Sequence, residues 1–253
     1  MILFGSYDLD IIEECNLHCA GCTSLDYLGY DRPGKVTISS MTVAMLEELL
    51  LKIGRHVTKI EELSLVGGEP TLHPRFEDII DTLRESGLVG KINVVTNGTN
   101  FTPEIIEILK KVDCVQISDY MRAADGDTIF ETIDDMPFDY NIWHRSEFHR
   151  IGECEPMSPQ ENWNACFMKD YCRVITMDGL ARCRVCSNEQ IHIAPWHDEA
   201  ALTETISRHE AYDRCGTCGT PASAEHYEWS SLKPEIDAKN YKRGIELIKA
   251  VTL

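Results

Sequence analysis

The chain has 253 residues, enough for one large domain or for a domain with a smaller appendage, each with a sizeable core. Its 24 Lys and Arg stand against 42 Asp and Glu, a net charge of −18 that repels nucleic-acid backbones and anionic membranes and leaves neither as an expected partner. No apolar run is long enough to cross a bilayer, and the start MILFGSYDLDIIEEC lacks the basic region of a signal peptide, so a cytoplasmic location is expected.

In chain order, LDIIEE (9–14) reads as a strand running into a cysteine-rich loop. SMTVAMLEELLLKIGRH (40–56) carries apolar residues at helical spacing, with Ser39 or Ser40 available as N-cap. ELSLVGGEP (62–70) is a short apolar strand cut off by Gly67 and Gly68. PRFEDIIDTLRESG (74–87) is a helix opened by Pro74 and closed by Gly87. KINVVTNGT (91–99) is a strand ending in a turn, TPEIIEILKKV (102–112) a helix, and CVQISDY (114–120) another strand. MPFDYNIWH (136–144) supplies one more strand. The polar, Pro-containing GECEPMSPQENWN (152–164) reads as a boundary, dividing the chain into 1–152 and 153–253.

This βαβα alternation with short connections is the pattern of an α/β domain, a parallel sheet with helices packed outside it. Chemistry in such sheets collects at the carboxyl ends of the strands, where the cysteine loop, GGEP, TNGT and SDY all fall.

Eleven cysteines, an odd number, point in a reducing compartment to metal binding or catalysis rather than to disulfides. Cys15, Cys19 and Cys22 lie within eight residues. Structural zinc wants four protein ligands, whereas three clustered thiolates suit a [4Fe–4S] cube with one iron left open. CNLHCAGC resembles the C-x3-C-x2-C motif of the radical S-adenosylmethionine (SAM) superfamily, and GGEP resembles the loop that contacts the methionyl amino group there. The resemblance implies a partial (β/α)6 TIM-like barrel in which Cys15, Cys19 and Cys22 bind the cluster and the open iron takes the SAM amino and carboxylate groups. Gly67, Gly68, Glu69 and Pro70 would form the amino-group loop, with Glu69 accepting from the ammonium. Asn97, Gly98 and Ser118 sit where the family contacts ribose and carboxylate, although ordinary turn chemistry also accounts for these three. Many members carry an aromatic residue just before the third cysteine; Gly21 stands there, so adenine packing is expected from elsewhere.

The second group of cysteines follows. ACFMKDYCRVITMDGLARCRVC (165–186) reads as a hairpin around the Asp178–Gly179 turn, and CGTC (215–218) follows the helical stretch DEAALTETISRHEAY. The arrangement resembles the SPASM/Twitch extension of radical SAM enzymes, which implies a small Cys-rich C-terminal domain holding an auxiliary [4Fe–4S] cluster. Family spacing favours Cys166, Cys183, Cys215 and Cys218 as ligands and leaves Cys172 and Cys186 over. Three residues separate Gly179 from Cys183 where the family usually has four. The competing reading is zinc on Cys183, Cys186, Cys215 and Cys218. Cys114 begins an apolar strand and reads as a small buried hydrophobe.

The reaction that the resemblance implies is reductive cleavage of SAM to a 5′-deoxyadenosyl radical and hydrogen abstraction from a substrate C–H bond. One auxiliary cluster beside the site suggests a dehydrogenase-type oxidation of a sugar, aminocyclitol or other small molecule, with that cluster taking the electron. The start of the barrel almost at Met1 leaves no peptide-recognition module, which favours a small molecule. A peptide-modifying maturase and a non-catalytic iron–sulfur protein are the alternatives. A reductant such as flavodoxin or ferredoxin is the expected protein partner. Trp143, His144 and Arg145 close the last barrel strand and are candidates to face substrate.

Overall fold

The computed structural model describes residues 2–17, 19, 40–120, 136–144, 148–151, 156–166, 169, 173–188, 191–207, 210–218 and 229–232. Cys22, Cys154, Cys172, Gly21 and Arg145 lie outside the described residues.

Strands β1 (Ile2–Ile12), β2 (Val57–Gly67), β3 (Val89–Thr96), β4 (Cys114–Asp119) and β5 (Tyr140–His144) pair in parallel, each with the next. Helices α1 (Val43–Gly54), α2 (Phe76–Glu85) and α3 (Pro103–Leu109) connect them. The strands alternate strictly. Leu9 and Ile11 on β1, Leu63 and Leu65 on β2, Ile92 and Val94 on β3, and Val115 and Ile117 on β4 are fully buried. The helices bring Leu46, Leu49, Ile53, Ile79, Ile80, Leu83, Ile106 and Leu109 to the same core. Each such side chain stabilises the fold by about 1.5–3 kcal/mol relative to exposure. The intervening residues are polar (Ser6, Asp8, Glu62, Ser64, Gln116, Ser118), and these line a cavity on the opposite face. A two-residue period therefore separates structure from function on every strand.

The sheet continues beyond β1. Strand β7 (Arg173–Ile175) pairs in parallel with it, and β8 (Gly179–Ala181) and β9 (Ile193–Pro195) follow antiparallel. The expected hairpin around Asp178–Gly179 is thus an extension of the barrel sheet. Strands β6 (Phe148–Ile151) and β10 (Trp229–Leu232) form a separate antiparallel pair. Among the described residues no helix is long and apolar enough to cross a membrane.

Local differences from expectation have local causes. Helix α1 is capped by Thr42, whose Oγ1 accepts from Met45 N–H at 3.1 Å, because Ser40 is held in a bridge to Ile12. Helix α2 starts at Phe76, after Pro74. The return strand of the hairpin ends at Ala181; Cys183 turns the chain into a short helix α5 (Arg184–Asn188) by accepting Cys186 N–H on its sulfur and Ser187 N–H on its carbonyl.

Candidate active site

The carboxyl ends of β1 to β4 meet at a cavity of about 450 Å³, within the range of small-molecule and cofactor sites. Cys15, Cys19, Gly67, Gly68, Glu69, Asn97 and Ser118 all line it. Pro70 and Gly98 support the rim from behind: Pro70 opens a buried 3-10 turn (Pro70–Leu72), and Gly98 takes a φ of 72° in the turn after β3.

Backbone pairing fixes the Gly-rich loop against the cysteine loop. Gly68 N–H donates to Ile12 O and Glu69 N–H to Glu14 O, both at 2.7 Å. The two glycines are demanded by this approach. A Cβ at Gly67 would stand 2.3 Å from Ile12 O, and one at Gly68 only 2.0 Å from Glu14 O. Gly67 also has a φ of 127°, which L-residues rarely adopt.

Glu69 is 1% exposed and acts as a latch. Its Oε1 accepts from Thr71 N–H (3.2 Å), Thr71 Oγ1 (2.6 Å) and Thr96 Oγ1 (2.7 Å), and its Oε2 from Asn97 N–H (2.8 Å). Burial raises its pKa, and these donors oppose the rise. Only Oε2 keeps capacity for a further donor. In Glu69→Gln the amide NH2 would face a backbone N–H in either orientation, Thr71 or Asn97. The variant should lose about 2–3 kcal/mol, a fall in Tm of roughly 5–10 °C by circular dichroism; an unchanged Tm would mean the latch carries no weight.

Asn97 ties the turn to the cysteine loop. Its Nδ2 donates to Asn16 Oδ1 at 3.0 Å and lies 3.8 Å from Cys15 Sγ. Its Oδ1 accepts from Thr99 N–H at 2.9 Å, and Asn16 Nδ2 reaches Thr99 Oγ1 at 2.7 Å.

The opposite wall carries residues that motif reading missed: Ser6, Asp8, Glu62, Ser64, Gln116, Tyr120 and Arg184. The period-2 polar positions of SYDLD and ELSL were the available signal for the strand residues. Trp143 lines the cavity as expected and is 41% exposed. Arg184 had no sequence signal, since it comes from α5. Its Nη2 donates to Asp8 Oδ2 at 2.8 Å, and its Nη1 to both oxygens of Asp10 at 2.9 and 3.1 Å. Burial pushes the Asp10 carboxyl up, and the Arg184 charge pulls it back down.

A second cavity is lined by Cys166, Cys183, Cys186, Cys215 and Cys218. Cys166 caps helix α4 (Pro159–Ala165), and Cys215 lies in a 3-10 turn (Asp213–Thr217) that Cys218 ends. Asn162, buried on α4, joins the two by donating to Cys215 O (2.5 Å) and Cys218 O (2.9 Å). The Cys186 thiol and neighbouring backbone N–H groups favour the Cys183 thiolate, while burial holds Cys215 in its neutral form. Cys114 stands apart, half-buried, with its sulfur accepting from Asn141 Nδ2 at 3.3 Å. Among the described residues no three His, Cys, Asp or Glu side chains converge closely enough to hold a single ion. The thiols line a space rather than a point. Beside them Arg182 is 4% exposed, and its Nη1 and Nη2 find no hydrogen-bond partner. Burial, and after it the Arg173 charge, lowers its pKa to about 10, which leaves it cationic at neutral pH. A thiol-lined space with a buried, unpartnered cation fits an anionic iron–sulfur group.

Comparison with known proteins places this site. Residues 9–120 match the family model of the radical SAM superfamily. A tungsten-containing aldehyde ferredoxin oxidoreductase cofactor-modifying protein of Pyrococcus furiosus is 32% identical over 116 residues, 44% of this chain and 29% of that protein. A 7-carboxy-7-deazaguanine synthase of Neisseria meningitidis serogroup B is 27% identical over 128 residues, 46% of this chain and 53% of that one. The chain thus spans about a third to a half of the length of these relatives. The crystal structure of BtrN in complex with AdoMet and 2-DOIA superposes with a TM-score of 0.53 at 14% identity, covering 85% of both chains, a likeness of fold. The superfamily uses a [4Fe–4S] cluster and SAM.

Proposed function

We propose that this chain, a member of the radical SAM superfamily, is a dehydrogenase-type oxidoreductase acting on a small hydroxylated molecule, with residues 153–253 as a Twitch-like auxiliary-cluster extension. One observation carries the reading: Arg184 lines the polar cavity while Cys183, its neighbour in the chain, lines the thiol cavity. Consecutive Cα atoms are about 3.8 Å apart, so the two cavities share a wall one residue thick. A substrate radical and an electron acceptor held there would be close neighbours.

Cys15, Cys19 and Cys22 would hold the first cluster, and Cys166, Cys183, Cys215 and Cys218 the second, with Cys186 and Cys172 as reserve thiols. When bound, the first cluster and SAM supply a 5′-deoxyadenosyl radical, and the second cluster supplies a one-electron acceptor. The chain's own residues do the positioning. Gly67 and Gly68 set the floor beside the cysteine loop, Glu69 Oε2 offers an acceptor to the SAM ammonium, and Asn97, Gly98 and Ser118 present the polar rim to its ribose and carboxylate. Asp8, Glu62, Ser64 and Gln116 line the remainder, which suits hydroxyl or amino groups better than an apolar substrate. Asp8 is held by Arg184 at 2.8 Å and keeps one oxygen for a substrate hydroxyl. Trp143, partly exposed at the mouth, offers a flat apolar face that limits water entry. A flavodoxin or ferredoxin would be the reductant.

The test is anaerobic incubation of reduced, reconstituted protein with SAM and a panel of polyols, amino sugars and short peptides. Candidate substrates carry deuterium at carbinol carbons. The expected result is one deuterium in 5′-deoxyadenosine and a ketone product from a polyol or amino sugar. Deuterium transfer only from a peptide would replace this reading with a maturase, and no 5′-deoxyadenosine at all would remove the enzyme reading.

A further inference from the structure

The Arg182 guanidinium is the least compensated charge among the described residues. It is 4% exposed, Nη1 and Nη2 have no partner, and its nearest polar company is a second cation, Arg173, whose Nη1 donates to the Arg182 carbonyl at 3.4 Å. Its Cζ stands 5.8 Å from the centre of the Trp163 ring, which offers weak compensation at best. Burying a cation without an anion costs several kcal/mol, so the fold is complete only with negative charge in front of these donors. Cys183, Cys186, Cys215 and Cys218 line the same cavity.

We infer that Arg182 donates hydrogen bonds to the sulfur atoms of the auxiliary cluster and raises that cluster's reduction potential. Reduction adds one electron and makes the cluster one unit more negative, while no bond to the protein is made or broken. A fixed cation with two N–H donors therefore stabilises the reduced state more than the oxidised one. This makes Arg182 a positioning and tuning residue: it bends the cluster towards accepting an electron and takes no part in the chemistry at substrate. Lysine would keep the charge without the planar pair of donors.

The inference rests on the auxiliary-cluster reading, and its test separates the two. The full chain carrying Cys15→Ala, Cys19→Ala and Cys22→Ala is reconstituted anaerobically, so that only the auxiliary site contributes. Its reduced cluster is followed by EPR in a potentiometric titration. Adding Arg182→Gln should cut the ratio of reduced to oxidised cluster at fixed potential about tenfold, a downward shift of about 59 mV for a one-electron couple. Arg182→Lys should recover part of that shift. In protein labelled with ¹⁵N-arginine and unaltered at position 182, pulsed EPR should detect weak ¹⁵N coupling to the reduced cluster, lost in Arg182→Lys; this readout stands even where Arg182→Gln loses its iron. A bound cluster with an unmoved midpoint, or with no ¹⁵N coupling, overturns the role of Arg182 and leaves the cluster reading intact. Iron near zero, or one zinc in its place, overturns the cluster reading itself.

Discussion

Changing Cys15, Cys19 and Cys22 together to alanine should lower bound iron from about eight to about four per chain, the difference of one four-iron cube, and reduce 5′-deoxyadenosine formation to background. Cys15 and Cys19 are 8% and 9% exposed and line the same cavity as Gly67, Gly68 and Glu69, so their loss empties the ligand set without touching the core. The sheet should be retained, because Leu9, Ile11, Leu63 and Leu65 hold β1 to β2 without help from the thiols. Iron analysis, 5′-deoxyadenosine quantified by liquid chromatography, and far-ultraviolet circular dichroism read the three quantities separately. Undiminished SAM cleavage in the triple variant would sink the assignment of these cysteines.

Gly68→Ala should be the most damaging single methyl in the molecule. The added carbon would sit 2.0 Å from Glu14 O, 2.5 Å from Glu14 C and 2.9 Å from Glu13 O, all backbone atoms that cannot rotate away. Relief requires the end of β1 to move off β2, breaking the Gly68 N–H to Ile12 O and Glu69 N–H to Glu14 O bonds. The same movement displaces Cys15, the next residue after Glu14. A loss of more than about 4 kcal/mol is expected, the range reserved for backbone strain and broken buried networks, together with loss of cluster assembly. Gly54→Ala is the matched control. Nothing lies within 4 Å of its Cβ position at the end of α1, and the change should stabilise by about 0.4–1 kcal/mol. Urea midpoints of the two variants should move in opposite directions; parallel shifts would disprove the steric account.

The α/β alternation was legible because each element announces itself within a few residues. The apolar spacing of α1, Pro103 at the start of α3 and the glycines after β2 are all local signals. So was the first cysteine triplet, whose spacing is itself the ligand geometry. Asp8, Glu62 and Gln116 were visible only as polar interruptions of apolar strands. They became cavity residues once the registers Asp8↔Ser64 and Ser6↔Glu62 set them on one face. The short helix after Cys183 was hidden because its cause is a contact, the Cys183 sulfur accepting Cys186 N–H at 3.4 Å, and not a propensity.

The sequence alone determined the superfamily motif, the strand–helix order and the residues able to bind iron, since each depends on neighbours a few positions apart. Only the tertiary structure decided that Cys166, Cys183, Cys186, Cys215 and Cys218 share one cavity, that Arg182 stands unpartnered beside them, and that Arg184 reaches Asp8 and Asp10 across 176 and 174 positions of chain. Those meetings depend on β7 docking in parallel against β1. Strand pairing over such separations is set by which hydrophobic faces close together, a property of the whole packed sheet that no local stretch of sequence carries.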